Sequence, residues 1–434
     1  MNDKPRTSQK VSPARTLLGT FEVPGDKSIS HRSIMLGSLA DGTTRVNGFL
    51  MGDDNLSTVC AFQKMGVTIQ QTGATQLEIN GCGLDGLSEP EDILDCGNSG
   101  TTMRLISGLL SGQRFFSVLT GDQYLRRRPM KRIVEPLTRM GAQIWGRDNG
   151  DRAPLAIHGG SMKAISYSTP VASAQIKSAI LLAGLFADGE TTVKEIHLSR
   201  DHTERMLACF GADVRAFDGG VTVKGRPKLV AQELTIPGDI SSAAFFMVAG
   251  LLIPGSELLI RNVGINPTRS GIVDILKAMN GDLTLIEPRL QSGEPVADVL
   301  VRYSQLKGAK IGGELIPRAI DELPVISVAA AFAEGTTTIT DARELRVKET
   351  DRITAMVSEL GKLGVPVEAR DDGLIVEGVQ QVQGGCVESY GDHRIAMSLA
   401  VAGLGASDAL EIKDTACTET SFPGFWNLLE QVKA

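Results

Sequence analysis

Several short polar loops in this chain carry side chains that could grip an anion and move a proton. The first reads Pro24-Gly25-Asp26-Lys27-Ser28-Ile29-Ser30-His31-Arg32 and runs into an apolar helical pattern. Lys27 and Ser28 fall where that helix starts, and Arg32 lies one turn past Ser28 on the same face. A helix N-terminus with unpaired N–H groups, a hydroxyl and two cations is an anion site in waiting. The spacing is not that of a G-x-x-x-x-G-K-[ST] phosphate loop. The second loop, Gly97-Asn98-Ser99-Gly100-Thr101-Thr102-Met103-Arg104, has two glycines that let backbone approach a ligand. After it comes Arg126-Arg127-Arg128-Pro129, and such charge runs are usually solvated faces. The third loop, Ser173-Ala174-Gln175-Ile176-Lys177, offers hydroxyl and amide groups ahead of a buried helix.

In the second half Asp321-Glu322 precedes one helix, and Tyr390-Gly391-Asp392-His393-Arg394 opens another. Between them Arg346-Val347-Lys348-Glu349-Thr350-Asp351-Arg352 sets cations and acids within two turns. A capped helix or a solvated ion-pair face would explain each segment taken alone. The fourth loop, Asp239-Ile240-Ser241-Ser242, holds no cation and reads as a helix cap only. Taken together, cations and acids come from equivalent loops of both halves. Arginines would clamp anionic groups, leaving a carboxylate and a lysine for proton transfer.

The elements that position these loops recur. A small-residue apolar helix, a tight turn and an alternating strand appear six times, the turns including Asp41-Gly42-Thr43, Asp188-Gly189-Glu190 and Glu334-Gly335-Thr336. A second helix ending in glycine follows most of them, as in Met65-Gly66-Val67, Met140-Gly141-Ala142, Phe210-Gly211-Ala212 and Leu363-Gly364-Val365. The period of roughly 70 residues is too long for a solenoid and suits βαβ-type modules. Six units divide as three plus three, with the break near Leu234-Thr235-Ile236-Pro237-Gly238. Helix patterns at Ala179 to Ala187 and Ala243 to Leu252 are apolar on nearly every side. That predicts helices inside and sheets outside within each domain. Periodicity alone leaves an ordinary layered α/β fold open.

Composition narrows the function classes. A formal net charge of −7 argues against a nucleic-acid partner but permits a local positive cleft for small anions. The six cysteines are scattered with no C-x-x-C, which fits a reduced, cytoplasmic chain. Met1-Asn2-Asp3-Lys4 shows no apolar core of a signal peptide. The longest apolar stretch, Ala243 to Ile253, is short of the roughly 20 residues of a spanning helix, so no membrane is expected.

The loops at 24–32, 97–101, 128–129, 173–175, 346–352 and 391–394, in that order, resemble the enolpyruvylshikimate-phosphate synthase family over nearly the whole chain. The resemblance implies an α/β (α+β) fold of two domains, each of three βαβαββ-type units. Residues 24–236 would form one domain, 1–23 with 237–434 the other, and the active site the cleft between. By the same resemblance Lys27, Ser28, Arg32, Ser173, Ala174, Gln175, Arg200, Asp321 and Lys348 would hold shikimate 3-phosphate. Lys27, Gly100 through its backbone, Arg128, Gln175, Arg352 and Arg394 would hold phosphoenolpyruvate. Asp321 would be the base at the attacking hydroxyl, with Glu349 and Lys27 transferring protons at the methylene and the leaving phosphate. The implied reaction is addition–elimination, in a monomer needing no metal or cofactor, with glyphosate as an inhibitor at the phosphoenolpyruvate site. One departure is Thr420-Ser421-Phe422-Pro423, where some members have a lysine in place of Thr420, as in a divergent bacterial branch.

The nearest alternative is the sister enzyme that acts on UDP-N-acetylglucosamine, which uses a cysteine in a mobile loop. The matching stretch, Gly121 to Pro129, has none. A binding protein that kept the cleft would be expected to lose Lys27, Asp321 or Glu349, and all three are present. Nothing in the acidic balance favours a surface-acting scaffold.

Overall fold

The structure, a computed structural model, describes residues 7–434; the reading of Met1-Asn2-Asp3-Lys4 lies outside them. The chain forms two compact units. One comprises Gly25–Ile236 with Leu290–Glu294; the other comprises the chain up to Pro24, Pro237–Arg289 and Pro295–Ala434.

Five of the repeats build a four-stranded sheet with one strand order, and the last builds a three-stranded one. In the second repeat Leu94–Asp95 runs parallel to Phe116–Thr120, with Leu94 opposite Leu119. Phe116–Thr120 pairs antiparallel with Arg152–His158, which pairs antiparallel with Gln143–Gly146. Ala153, Leu155 and Ile157 alternate inward along the central strand, the period of two that buries one face. The order recurs around Glu190–Lys194 and around Thr336–Ile339.

In two sheets the first strand and the helix after it fall in different units. Glu233–Thr235 pairs parallel with Asp41–Asn47 in the Gly25–Ile236 unit, whereas the helix it leads to belongs to the other. Reciprocally, Leu18–Glu22 pairs parallel with Glu257–Gly264 and then leads into the Gly25–Ile236 unit. The boundary between units therefore runs through the repeat, between its first strand and its first helix.

The helices that bear on the site, numbered in chain order, are α1 (Lys27–Leu39), α2 (Gly100–Ser111), α3 (Ala174–Gly184), α4 (His202–Cys209), α5 (Ile240–Leu252), α6 (Leu323–Ala331), α7 (Arg352–Lys362) and α8 (His393–Gly405). In α1, α2, α3, α5, α6 and α8 nearly every residue past the first turn is buried; α5 and α6 are apolar on nearly every side, whereas α1 also buries Ser30, His31, Arg32 and Ser33. Within one unit α2 packs on α3, and within the other α6 packs on α8, with the sheets outside them. Helices inside and sheets outside is thus the arrangement found, rather than a layered sheet. The outer helices close at Gly66, Gly141, Gly211 and Gly364, all at positive φ, where a side chain would be strained.

One boundary differs from the sequence reading. The third buried helix spans Ala174–Gly184, not Ala179 to Ala187, and Ala187 instead pairs with Met162 in a short parallel ladder. Ala174, Gln175 and Lys177 therefore lie in the helix's first turn, with Ser173 at its N-cap. The first-turn N–H groups have no partner within the helix, so polar side chains are tolerated there.

Candidate active site

In the Gly25–Ile236 unit the site begins where α1 begins. Asp26 caps the helix, its side chain accepting from the Ile29 N–H at 2.9 Å. That cap sets Lys27 as the first helical residue, with its Nζ 2.5 Å from Asp54. Arg32, 4% exposed, is gripped by neutral oxygens. It donates to the Ser28 carbonyl at 2.9 Å, to Thr203 Oγ1 at 2.7 Å and to Ser178 Oγ at 2.8 Å. Burial lowers its pKa to about 10; Arg200 pushes the same way, while Glu204, Asp26 and Glu294 oppose. Arg32 and the half-buried Arg200 are like charges that feel one another, an arrangement that favours an anion.

Ser99 caps α2, accepting from the Thr102 N–H at 3.1 Å, and Gly100 is the first helical residue. A Cβ on Gly100 would stand 2.9 Å from Arg104 Nη1 and 3.2 Å from Arg128 Nη1, so the glycine lies against two guanidiniums. The Arg126–Arg128 run is not one solvated face. Arg127 is exposed, but Arg128 is buried and donates to Asn98 Oδ1 at 2.6 Å, and Asn98 in turn donates to Asp122 at 2.6 Å. Gln175 accepts from Arg104 Nη1 at 2.5 Å and donates to Thr101 Oγ1 at 3.1 Å. Arg104 also donates to the Pro129 carbonyl at 3.1 Å. It thereby ties Gln175, Gly100 and the Arg128 segment together.

The second group lies in the other unit. Asp321 and Glu322 directly precede α6, and Asp321 Oδ1 receives Lys348 Nζ at 3.2 Å and Arg352 Nη1 at 3.3 Å. Arg352 is 1% exposed and also donates to Glu349 Oε2 at 2.6 Å and to Asp392 Oδ2 at 2.8 Å. Burial alone would lower its pKa, but Asp392, Glu349 and Asp321 reverse this and raise it above the usual arginine value. Asp392 caps α8 by accepting from the Arg394 N–H at 2.9 Å, and the Arg394 guanidinium donates to the Asp321 carbonyl at 3.1 Å. The solvated-face reading of Lys348 to Arg352 therefore fails at Arg352.

The fourth loop does more than cap. Asp239 accepts from the Ser241 N–H at 2.8 Å, yet it also lies 3.4 Å from Arg269 Nη2. Arg269 donates to Ser241 Oγ at 2.6 Å, and Ser241 Oγ bonds to the buried Glu322. Thr420 is held locally: it donates to the Cys417 carbonyl at 2.7 Å and stands 3.4 Å from His393 Nδ1.

The predicted residues thus assemble in two groups. Lys27, Ser28, Arg32, Gly100, Arg128, Ser173, Ala174, Gln175 and Arg200 belong to the Gly25–Ile236 unit; Asp321, Lys348, Glu349, Arg352 and Arg394 belong to the other. Sequence reasoning missed Arg104 and Arg269. Arg104 carried a signal, a cation in the second turn of a buried helix, as Arg32 is in α1.

Comparison with known proteins is decisive. The family model described as EPSP synthase (3-phosphoshikimate 1-carboxyvinyltransferase) matches residues 11–429. The chain belongs to the EPSP synthase family. A 3-phosphoshikimate 1-carboxyvinyltransferase of Pelobacter propionicus is 62% identical over 426 residues, covering 98% of this chain and 99% of that protein. Another, from Geotalea daltonii, is 63% identical over 420 residues, covering 97% and 98%. The fold matches EPSP synthase from Acinetobacter baumannii with a TM-score of 0.88 at 47% identity, covering 99% of this chain and 98% of that one. Like the family, this chain is a mixed α/β protein of many small sheets. Among the described residues no helix is long and apolar enough to cross a membrane.

Proposed function

We propose that the protein transfers the enolpyruvyl group of phosphoenolpyruvate to the 5-hydroxyl of shikimate 3-phosphate, releasing phosphate, within aromatic amino-acid (chorismate) biosynthesis. The observation that carries this reading is near full-length identity above 60% to 3-phosphoshikimate 1-carboxyvinyltransferases. The two partly buried groups of arginine, lysine and carboxylate near helix starts support it. The family match favours this acceptor over UDP-N-acetylglucosamine.

In this reading both groups act on one pair of substrates. Lys27, Ser28, Arg32, Ser173, Ala174, Gln175 and Arg200 take the shikimate 3-phosphate, joined by Asp321 and Lys348. Arg128, Arg352 and Arg394, with Lys27, Gln175 and the Gly100 backbone, take phosphoenolpyruvate. Asp321 accepts the proton of the attacking hydroxyl as its oxygen bonds to the enol carbon; its carboxylate is fixed for this by Lys348 and Arg352. The methylene carbon gains a proton, Glu349 and Lys27 being the groups within this set able to exchange one. Loss of phosphate and of a methyl proton from the tetrahedral adduct restores the double bond in the product. Positioned acid–base groups of this kind contribute about 100- to 10,000-fold each.

The protein acts as a cytoplasmic monomer on small molecules without a cofactor. Its six free cysteines support a reducing compartment. The test is phosphate release from phosphoenolpyruvate with shikimate 3-phosphate, beside the same assay with UDP-N-acetylglucosamine. Release only with the UDP-sugar would overturn the reading.

A further inference from the structure

Three fully or nearly fully buried charges sit behind the shikimate 3-phosphate group, and none of them has a place in the reaction. Lys177, in the first turn of α3, is 2% exposed. Its Nζ donates to Glu195 Oε2 at 2.8 Å and to the Ser199 carbonyl at 3.2 Å, and lies 2.7 Å from Glu204 Oε1. The second Glu195 oxygen accepts from Ser199 Oγ. A buried ammonium is tolerated only when carboxylates meet it. Here burial pulls its pKa down, but Glu204 and Glu195 more than reverse this, while burial pushes the Glu204 carboxyl up.

The three contacts fall on one segment. Glu195 follows the strand Glu190–Lys194, Ser199 is mid-loop, and Glu204 is in the first turn of α4. Between Glu195 and His202 the chain has no helix or strand, and Ile196 and Leu198 are exposed, so the loop has little apolar packing of its own. Arg200 sits in this stretch. The first turn of α4 is fastened residue by residue: His202 Nδ1 to Glu294 Oε1 at 2.7 Å, Thr203 Oγ1 to Arg32 Nε and Ser178 Oγ, each at 2.7 Å, and Glu204 to Lys177. Ser178, next to Lys177, also receives Arg32 Nη2. Arg32 and Arg200 are like charges that repel. Holding two mutually repelling cations on neighbouring segments needs a frame, and Lys177 joins the segment that carries Arg200 to the helix that carries Ser178, an Arg32 acceptor.

We infer that Lys177 is a positioning residue for shikimate 3-phosphate, its buried pairs with Glu195 and Glu204 holding the 195–204 segment so that Arg200 and Arg32 meet the anion pre-arranged. This rests on the proposed substrate of the site. Losing one charge-assisted contact to an anion weakens binding by about 10- to 100-fold, and misaligning it loses part of that. The expected loss falls on shikimate 3-phosphate and not on the chemical step.

The test uses the combined variant Lys177→Met, Glu195→Gln, Glu204→Gln, which removes the three charges without stranding one in the interior. Glu195→Gln alone, which leaves Lys177 paired with Glu204, is the milder second variant. Dissociation of shikimate 3-phosphate is measured by calorimetry, with kcat and the KM for phosphoenolpyruvate at saturating shikimate 3-phosphate. The combined variant should bind shikimate 3-phosphate on the order of tenfold more weakly, and Glu195→Gln a smaller factor more weakly. In both, kcat and the phosphoenolpyruvate KM should stay within about threefold of the parent, against the roughly 100-fold a lost acid–base group would cost. On an Arg200→Ala background the same changes should cost clearly less, because one of the two groups they position is gone. Unchanged shikimate 3-phosphate binding, or an equal loss with and without Arg200, would overturn the inference. A parent protein that itself fails to bind shikimate 3-phosphate would overturn the proposed function too, and is distinguished by failing before any substitution.

Discussion

Arg352 and Arg394 are both assigned to phosphoenolpyruvate, yet the structure predicts that losing them has different consequences. Arg352 is 1% exposed and makes a two-pronged contact with Asp392, at 2.8 Å and 3.3 Å, and the Asp392 side chain is 0% exposed. Arg352→Ala strands that carboxylate in the interior and loosens Glu349 and Asp321 as well. Breaking a buried pair from one side costs about 3–5 kcal/mol. For a unit of roughly 200 residues that is a fall in Tm on the order of 10 °C. Arg394 donates to a neutral carbonyl, with the carboxylates of Asp321 and Glu322 at 3.9 Å and 3.8 Å. Arg394→Ala should therefore move Tm much less, while weakening phosphoenolpyruvate by about 1.5–3 kcal/mol in the presence of shikimate 3-phosphate. Calorimetric melts and binding titrations of the two variants, with the double variant Arg352→Met, Asp392→Asn, separate the effects. Replacing both partners removes the stranded charge, so the double variant should recover much of the lost stability. For a unit of this size a Tm within about 2 °C of the parent means a loss below about 1 kcal/mol, and an Arg352→Ala protein melting there would refute the argument. So would a double variant no more stable than the single one.

Glu349→Gln keeps size and some hydrogen bonding but cannot exchange a proton, so kcat should fall about 100- to 10,000-fold with little change in substrate affinity. Near-parental turnover would return Glu349 to a structural partner of Arg352. Gly100→Ala places a methyl against Arg104 and Arg128, which must yield by a few tenths of an ångström. The inhibition constant for glyphosate should rise more than the KM for phosphoenolpyruvate, and superimposable inhibition curves for the two proteins would refute this. His31 is buried, its Nδ1 2.7 Å from Thr58 Oγ1, and burial, then Lys27 and Arg32, hold its pKa well below 6.5. The unfolded chain therefore binds the extra proton first. This group's contribution to stability is complete above about pH 6.5 and is lost as pH falls toward the folded pKa, at up to about 1.4 kcal/mol per pH unit. Melts from pH 7.5 to 5 should show the parent losing stability faster than His31→Gln; a constant difference between them would count against it.

The repeat was legible because its punctuation is chemical. Turn glycines at positive φ and helices without a polar face report backbone conformation and burial directly. Which unit each strand joins came only from the family resemblance, which put residues 1–23 with 237–434; Leu18–Glu22 and Glu233–Thr235 pair with strands far along the chain and carry no local mark of it. The candidate site was legible to the extent that it sits at helix starts, as do Lys27, Gly100, Ala174 and Arg394. Arg269 was invisible for the opposite reason. It lies outside the repeated loops, and only the fold brings it to Asp239 and Ser241. The arginine run shows the limit of local charge reading. Nothing in Arg126-Arg127-Arg128 separates the exposed Arg127 from the buried Arg128; Asn98, 30 residues earlier, does so by accepting its guanidinium.

Arg32 and Arg352 are held by different means, and the difference suits the two roles proposed for them. Arg32 is fixed by two hydroxyls and a carbonyl, none of which cancels its charge. A guanidinium held in this way is rigid and still fully attractive to a phosphate that remains unchanged through the reaction. Arg352 is fixed by three carboxylates, which offset its charge and share its protons. Such a cation adds less net attraction, but it links Asp321 and Glu349, so a charge change at one is felt at the other. Addition–elimination needs that coupling, because a proton must leave a hydroxyl as another reaches a carbon. Neutral oxygens around Arg32, and carboxylates around the Arg352 that joins Asp321 to Glu349, are the division of labour that the proposed mechanism would use.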